Sequence, residues 1–217
     1  QPYAFSDPLT MAVCLDKAVA KRLVKEAGIP TAPFMTVETG NEDFSGWTHY
    51  PAFVKPLAEG TGKGCELGSR VANEAELRNA ARALVHRFRQ PALVEAYLPG
   101  REFTVGIVGN GADARVISVM EILLNDGADD GVYSMRNKEE SETLCSYQRA
   151  DDTEARLVGQ RGLAAYRALG CQDSCRIDFR SDADGSPVFM EANPIAGLHP
   201  THSDLPILTV LLLAVLW

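Results

Sequence analysis

The chain has 217 residues, 46% of them hydrophobic, and a net charge of −8. That is room for one large domain or two small lobes around a packed interior. The acidic balance, with no basic block or stripe, argues against nucleic acid as the main partner. Five cysteines, an odd number without zinc-type pairing, fit a reducing compartment, and a cytoplasmic protein is expected.

No signal peptide is expected from the opening residues. Residues Leu9 to Ala27 carry apolar side chains at spacings of three and four, closed by Gly28 and Pro30, which predicts one helix. Pro51 to Lys55 reads as a short strand running into the loop Leu57-Ala-Glu-Gly-Thr-Gly-Lys-Gly-Cys. Glu74 to Phe88 is an amphipathic helix. Ala92 to Leu98 and Glu102 to Val108 read as strands joined by Pro99-Gly100, and Arg115 to Leu123 as another. The polar segment Asn125 to Ala150 is long enough for a mobile flap. Thr153 to Leu169 is a second long helix, stopped by Gly170. The apolar run from Leu205 to Trp217 is too short to span a bilayer, so a buried helix and no membrane partner are expected. With Gln1 at one end and Trp217 at the other, the sequence reads as a piece of a longer polypeptide.

The most informative stretch is Arg176-Ile-Asp-Phe-Arg, followed by the turn Asp182-Ala-Asp-Gly-Ser and then Phe189-Met-Glu-Ala-Asn-Pro. A hairpin turning at Asp184-Gly185 sets Asp178 opposite Glu191 and Arg176 opposite Asn193. Two carboxylates facing each other across a hairpin repel. A divalent cation removes that objection, and two carboxylates plus the Asn193 amide oxygen suit Mg²⁺, with Mn²⁺ as an alternative. The competing reading is a plain polar face. The apolar neighbours Ile177, Phe179, Met190 and Ala192 favour the metal. Cys171 and Cys175 fit a core better than a ligand pair, and His199-x-x-His202 lacks a third soft ligand.

Gly60-Thr-Gly-Lys-Gly mimics a phosphate loop. It fails the Walker pattern, because Leu57 stands where a glycine is needed and Gly64 where a hydroxyl residue is needed. Its chemistry survives: three glycines let backbone N–H groups turn on phosphate oxygens, Thr61 adds a hydroxyl and Lys63 a charge. A flexible surface turn is the alternative.

In order and spacing these parts resemble the ATP-grasp ligases, and most closely the D-alanine–D-alanine ligase family. The resemblance runs from Asp16-Lys-Ala-Val-Ala-Lys-Arg-Leu through Phe53-Val-Lys-Pro-Leu-Ala-Glu-Gly-Thr-Gly-Lys-Gly. It continues in Leu93-Val-Glu-Ala-Tyr-Leu-Pro-Gly-Arg-Glu-Phe-Thr-Val and ends in Arg176-Ile-Asp and Glu191-Ala-Asn-Pro with Gly197. It implies an α+β fold of two lobes, with nucleotide held between antiparallel sheets. The lobes would follow an opening helix region over 1–30, a small lobe over 31–98 and a large lobe over 99–217. The family's N-terminal substrate domain would lie outside this chain.

The resemblance also implies roles. Lys17 and Lys55, with Lys138 from the flap, would neutralise ATP phosphates, cradled by Gly60 and Gly62. Glu95 would accept from the adenine amino group while the backbone near Ala96 and Leu98 reads the ring edge, and Glu102 would bind the ribose. Glu95 and Glu102 are expected on one cleft wall, facing Lys55 and Lys17. Asp178, Glu191 and Asn193 would hold Mg²⁺. Arg176 and the Gly197 N–H would stabilise the oxyanion, with Thr61 as a further catalytic group, and Ser203 would take a substrate carboxylate.

Three departures from the family pattern lie where amino-acid substrates would sit. Gly62 replaces the second of a hydroxyl pair, Glu139 instead of tyrosine follows Lys138, and the loop from Asn193 to Ser203 is one residue longer. The expected activity is an ATP-dependent carboxylate–amine ligase acting through an acyl phosphate on small amino-acid-like substrates, with a homodimer as an allowed assembly. The alternatives are a nucleotide-binding module without turnover and an ATP-grasp carboxylase or carbamoyl-phosphate type enzyme.

Overall fold

In the computed structural model, residues 3–60, 62–129, 136–137, 140–200 and 203–213 are described. The first helical stretch divides at Asp16, giving α1 (Pro8–Leu15) and α2 (Lys17–Glu26). The single helix expected over Leu9 to Ala27 is therefore corrected. Its apolar spacing runs through both helices, but Asp16 leaves the helical region with ψ 98° and its carboxylate accepts from the N–H groups of Ala18 and Val19. A side chain that caps the next turn ends the previous one.

Four antiparallel strands form the smaller sheet: β1 (Phe34–Val37), β2 (Ala52–Pro56), β3 (Arg70–Val71) and β4 (Ala92–Ala96), in the order β1-β4-β2-β3. Helix α3 (Glu74–Phe88) lays Leu77 and Ala81 on Val37, Ala52, Val54 and Val94. The sequence reading missed β1 and β3, which are four and two residues long and carry too little pattern to stand out.

The larger sheet has the order β7-β6-β5-β8-β9, all antiparallel. Its strands are β5 (Glu102–Val108), β6 (Arg115–Leu124), β7 (Cys145–Arg149), β8 (Ser174–Ser181) and β9 (Pro187–Asn193). One face is dry. Phe103, Val105, Ile107, Ile177, Phe179 and Phe189 pack there against α1, α2 and helix α5 (Thr153–Ala168). Alternation sends Glu102 and Thr104, and likewise Asp178 and Arg180, to the other face. Helix α6 (Asp204–Leu213) covers the far part of that face, with Leu208 buried on Met120 and Ile122.

The segment expected as a flap is partly regular. A single helical turn, α4 (Ser141–Leu144), leads into β7, which pairs with β6 through Tyr147 and Ile122. Polar composition had concealed an edge strand: of its five residues only Cys145 is buried, so it carries almost no apolar pattern. Lys138 and Glu139 lie outside the described residues, as do Thr61, His202 and the last four positions of the C-terminal run. Among the described residues no helix is long and apolar enough to cross a membrane.

Candidate active site

The two sheets face each other across an open cleft. Of the residues singled out from sequence, Lys17, Lys55, Gly62, Lys63, Glu95, Ala96, Leu98, Glu102, Asp178 and Glu191 line it. They come from seven separate stretches of chain.

The hairpin places the acids as the spacing predicts, by a less direct route. Gly185 takes φ +75° in the turn, and Ser181 pairs with Pro187 and Phe179 with Phe189. A bulge beyond Phe179 then restores the pairing of Asp178 with Glu191 and of Arg176 with Asn193. The extra residue is Met190, and both Met190 and Glu191 line the cleft. Re-aiming a side chain beside a site is a common use of a bulge.

Asp178 is the hub of this wall. It accepts from the Thr104 hydroxyl at 2.8 Å, from Arg176 Nε and Nη2 at 3.1 and 3.0 Å, and from Asn193 Nδ2 at 3.1 Å. Arg176 Nη1 pairs with Asp204 at 2.9 Å. Burial works against the Arg176 charge, and Asp178 and Asp204 more than restore it, so its pKa rises. Lys17 Nζ lies 3.4 Å from Glu191 and also donates to the Glu59 carbonyl. Asp178 and Glu191 bring two hard-oxygen carboxylates of the kind Mg²⁺ takes side by side on the cleft, with the Asn193 amide behind them on the same strand pair.

The opposite wall holds a buried triad. Lys55 Nζ lies 2.5 Å from Glu95 Oε1, and Lys21 Nζ lies 2.9 Å from Glu95 Oε2. Lys21 also donates to the Phe189 carbonyl at 3.0 Å, so it ties this wall to the larger sheet. Glu95 therefore does not face Lys55 across the cleft. Both belong to the small sheet, where β2 and β4 pair, while Glu102 stands on β5 of the large sheet. The expectation of a shared wall for the two glutamates fails because the hinge after Leu98 carries the chain from one sheet to the other.

The glycine loop turns tightly. The N–H groups of Lys63 and Cys65 donate to the carbonyls of Gly60 and Gly62, so those amides are spent inside the loop. Gly64 has φ +75°, and a Cβ there would meet Pro56 Cγ at 2.6 Å.

Gly60, Arg176, Asn193, Gly197 and Ser203 stand back from the cleft lining. Arg176 and Asn193 reach it through Asp178. Gly197 and Ser203 meet each other, since a Cβ on Gly197 would lie 2.6 Å from Ser203 Oγ, and that oxygen accepts from the His199 N–H at 3.0 Å.

Sequence reasoning missed Lys21, Thr104 and Asp204. A signal existed for two of them: Lys21 is four residues beyond Lys17 on one helix, and Thr104 is two beyond Glu102 on one strand. Asp204 carried none, because its contact with Arg176 is made only by the fold.

Comparison with known proteins bears on the whole chain. The model of the D-ala D-ala ligase C-terminus matches residues 23–209. A D-alanine–D-alanine ligase of Bordetella petrii is 33% identical over 94% of this chain and 61% of its own length. A putative D-alanine–D-lactate ligase of Streptomyces coelicolor is 35% identical over 91% of this chain and 56% of that protein. The crystal structure of the VanG D-Ala:D-Ser ligase from Enterococcus faecalis superposes with TM-score 0.77 at 29% identity, covering 96% of this chain and 60% of that one. This chain thus spans about 60% of the length of such relatives. It belongs to the family of the D-alanine–D-alanine ligase C-terminal domain and has its ATP-grasp fold.

Proposed function

We propose that this chain is the nucleotide- and metal-binding part of an ATP-dependent carboxylate–amine ligase. The observation that carries the reading is the Asp178–Glu191 pair, held side by side on a bulged hairpin in a cleft that Lys17 and Lys55 also enter. Mg²⁺, held by Asp178, Glu191 and Asn193, would spread the charge of the transferred phosphoryl group. Lys17 and Lys55 would offset phosphate charge from the two walls. The hinge backbone at Ala96 and Leu98 would read the base, and Glu102 the ribose. Glu95, engaged by two ammonium groups, is left to orient Lys55.

The substrate carboxylate would attack the γ-phosphate, forming the acyl–oxygen–phosphorus bond as the bond to ADP breaks. An amine would then displace phosphate. Arg176, fixed by Asp178 and Asp204, would face the developing oxyanion together with the Gly197 N–H. Relatives named for D-alanine, D-serine and D-lactate differ in the acceptor, and the loop from Gly197 to Ser203 is the segment that would choose it.

Titration calorimetry of this chain with Mg·ATP, followed by ADP release from the full-length protein across D- and L-amino acids and D-hydroxy acids, tests the reading. Acceptor-dependent ADP release is expected. ATP binding without any acceptor-dependent release would favour a module without turnover.

A further inference from the structure

Arg180 was not singled out from the sequence, yet it lines the cleft at the point where the chain crosses between the sheets. On β8 it stands directly opposite Glu102 of β5. Its guanidinium makes three bonds of 3.3 Å each: Nε to the Gly100 carbonyl, Nη1 to Glu102 Oε2 and Nη2 to Tyr97 Oη. The same group lies 5.2 Å from the centre of the Tyr97 ring, and Arg70 of the small sheet lies 4.4 Å from that ring. Tyr97 belongs by its backbone to the small sheet, since its N–H donates to the Pro51 carbonyl at 3.0 Å.

One guanidinium therefore grips both ends and the middle of the hinge from Tyr97 to Glu102. An ordinary cross-strand ion pair would need only the bond to Glu102. The planar fork of arginine makes the other two at fixed angles, which a lysine could not. The side chains of Arg180 and Glu102 are 12% and 14% exposed, so the pair is shielded from water while remaining at the cleft surface.

We propose that Arg180 is a positioning residue of the nucleotide site, clamping the hinge so that Glu102 is held at a set distance from the base-reading backbone at Ala96 and Leu98. The proposal rests on the nucleotide reading given above. Its consequence is selectivity: the clamp makes the protein sense the ribose hydroxyls, without touching the triphosphate.

The test is calorimetric titration of this chain with Mg·ATP, Mg·2′,3′-dideoxy-ATP and Mg·tripolyphosphate. The wild type should prefer ATP over the dideoxy analogue by about tenfold, the worth of one hydrogen bond to a charged group. Arg180→Met and Glu102→Gln should each erase most of that preference, the double variant should lose no more than either, and tripolyphosphate affinity should stay unchanged. Arg180→Lys, which keeps the charge and the fold, should recover only part of the preference. Full preference in Arg180→Met or Arg180→Lys overturns the clamp alone, whereas a wild type that binds ATP and the dideoxy analogue equally overturns the clamp together with the ribose role of Glu102. A wild type that binds no Mg·ATP overturns the clamp together with the nucleotide reading.

Discussion

On the small-sheet wall of the cleft, Glu95 sits between Lys55 and Lys21, and all three side chains are at most 5% exposed. On the large-sheet wall, Asp178 and Glu191 are 12% and 19% exposed, and both open to the cleft. The first wall neutralises most of its charge internally and presents a fixed ammonium. The second keeps carboxylates at the surface, balanced by Arg176 and Lys17 from the side. Buried charges must be paired where they stand, because desolvation costs several kcal/mol per ion. Carboxylates meant to receive a cation must instead stay reachable. Helix α2 serves both walls: Lys21 pairs with Glu95, and Lys17, one turn earlier, pairs with Glu191.

Removing a charge should therefore harm the two walls in different ways. The largest effect is expected for Asp178→Asn, which should abolish Mg²⁺-dependent ADP release and lower Mg²⁺ affinity at least about 100-fold while the chain stays folded. Metal titration beside a urea melt checks this. A variant that loses its fold before its metal would show that the hub is structural.

Glu95→Gln should act on stability instead, costing about 3–5 kcal/mol by leaving two buried ammonium groups underpaired. The pH dependence sharpens the point. Burial alone would raise the Glu95 carboxyl, but Lys21 and Lys55 overcome it and bring it down to about 2 from an ordinary 4.5. A carboxyl lowered on folding contributes stability that is complete above its ordinary pKa and is lost as pH falls through its folded value. Wild-type stability should thus decline between about pH 4.5 and 2, and Glu95→Gln should decline less over that window.

Lys55→Met should weaken Mg·ATP binding by about tenfold or more, and Lys63→Met by a few-fold at most. Lys55 is 5% exposed and held 2.5 Å from Glu95, whereas Lys63 is 56% exposed and 3.8 Å from Glu59. Equal losses in calorimetry would mean that the fixed wall has no advantage over the mobile loop. The smallest effect is expected for Asp16→Ala, about 1 kcal/mol from the lost cap. It should loosen Lys17 and Lys21 together, so ATP affinity and acid stability should slip in the same variant.

The sequence by itself determined the pieces that obey short-range rules. Alternation and the Asp184-Gly185 turn placed Asp178 opposite Glu191, and the same logic located α3, β5 and α5 nearly to the residue. It could not see that a bulge at Met190 was needed to keep that pairing, since one extra residue leaves no mark on a hydrophobic pattern. Nor could it see the break at Asp16, where a cap competes with a continuous apolar stripe. What only the tertiary structure decided is which charges meet. Lys21 with Glu95, Arg176 with Asp204 and Arg180 with the hinge are separated by tens of residues along the chain or lie on different sheets. Coulomb attraction and desolvation depend on distance and burial in space. Neither quantity exists until the two sheets have closed on each other.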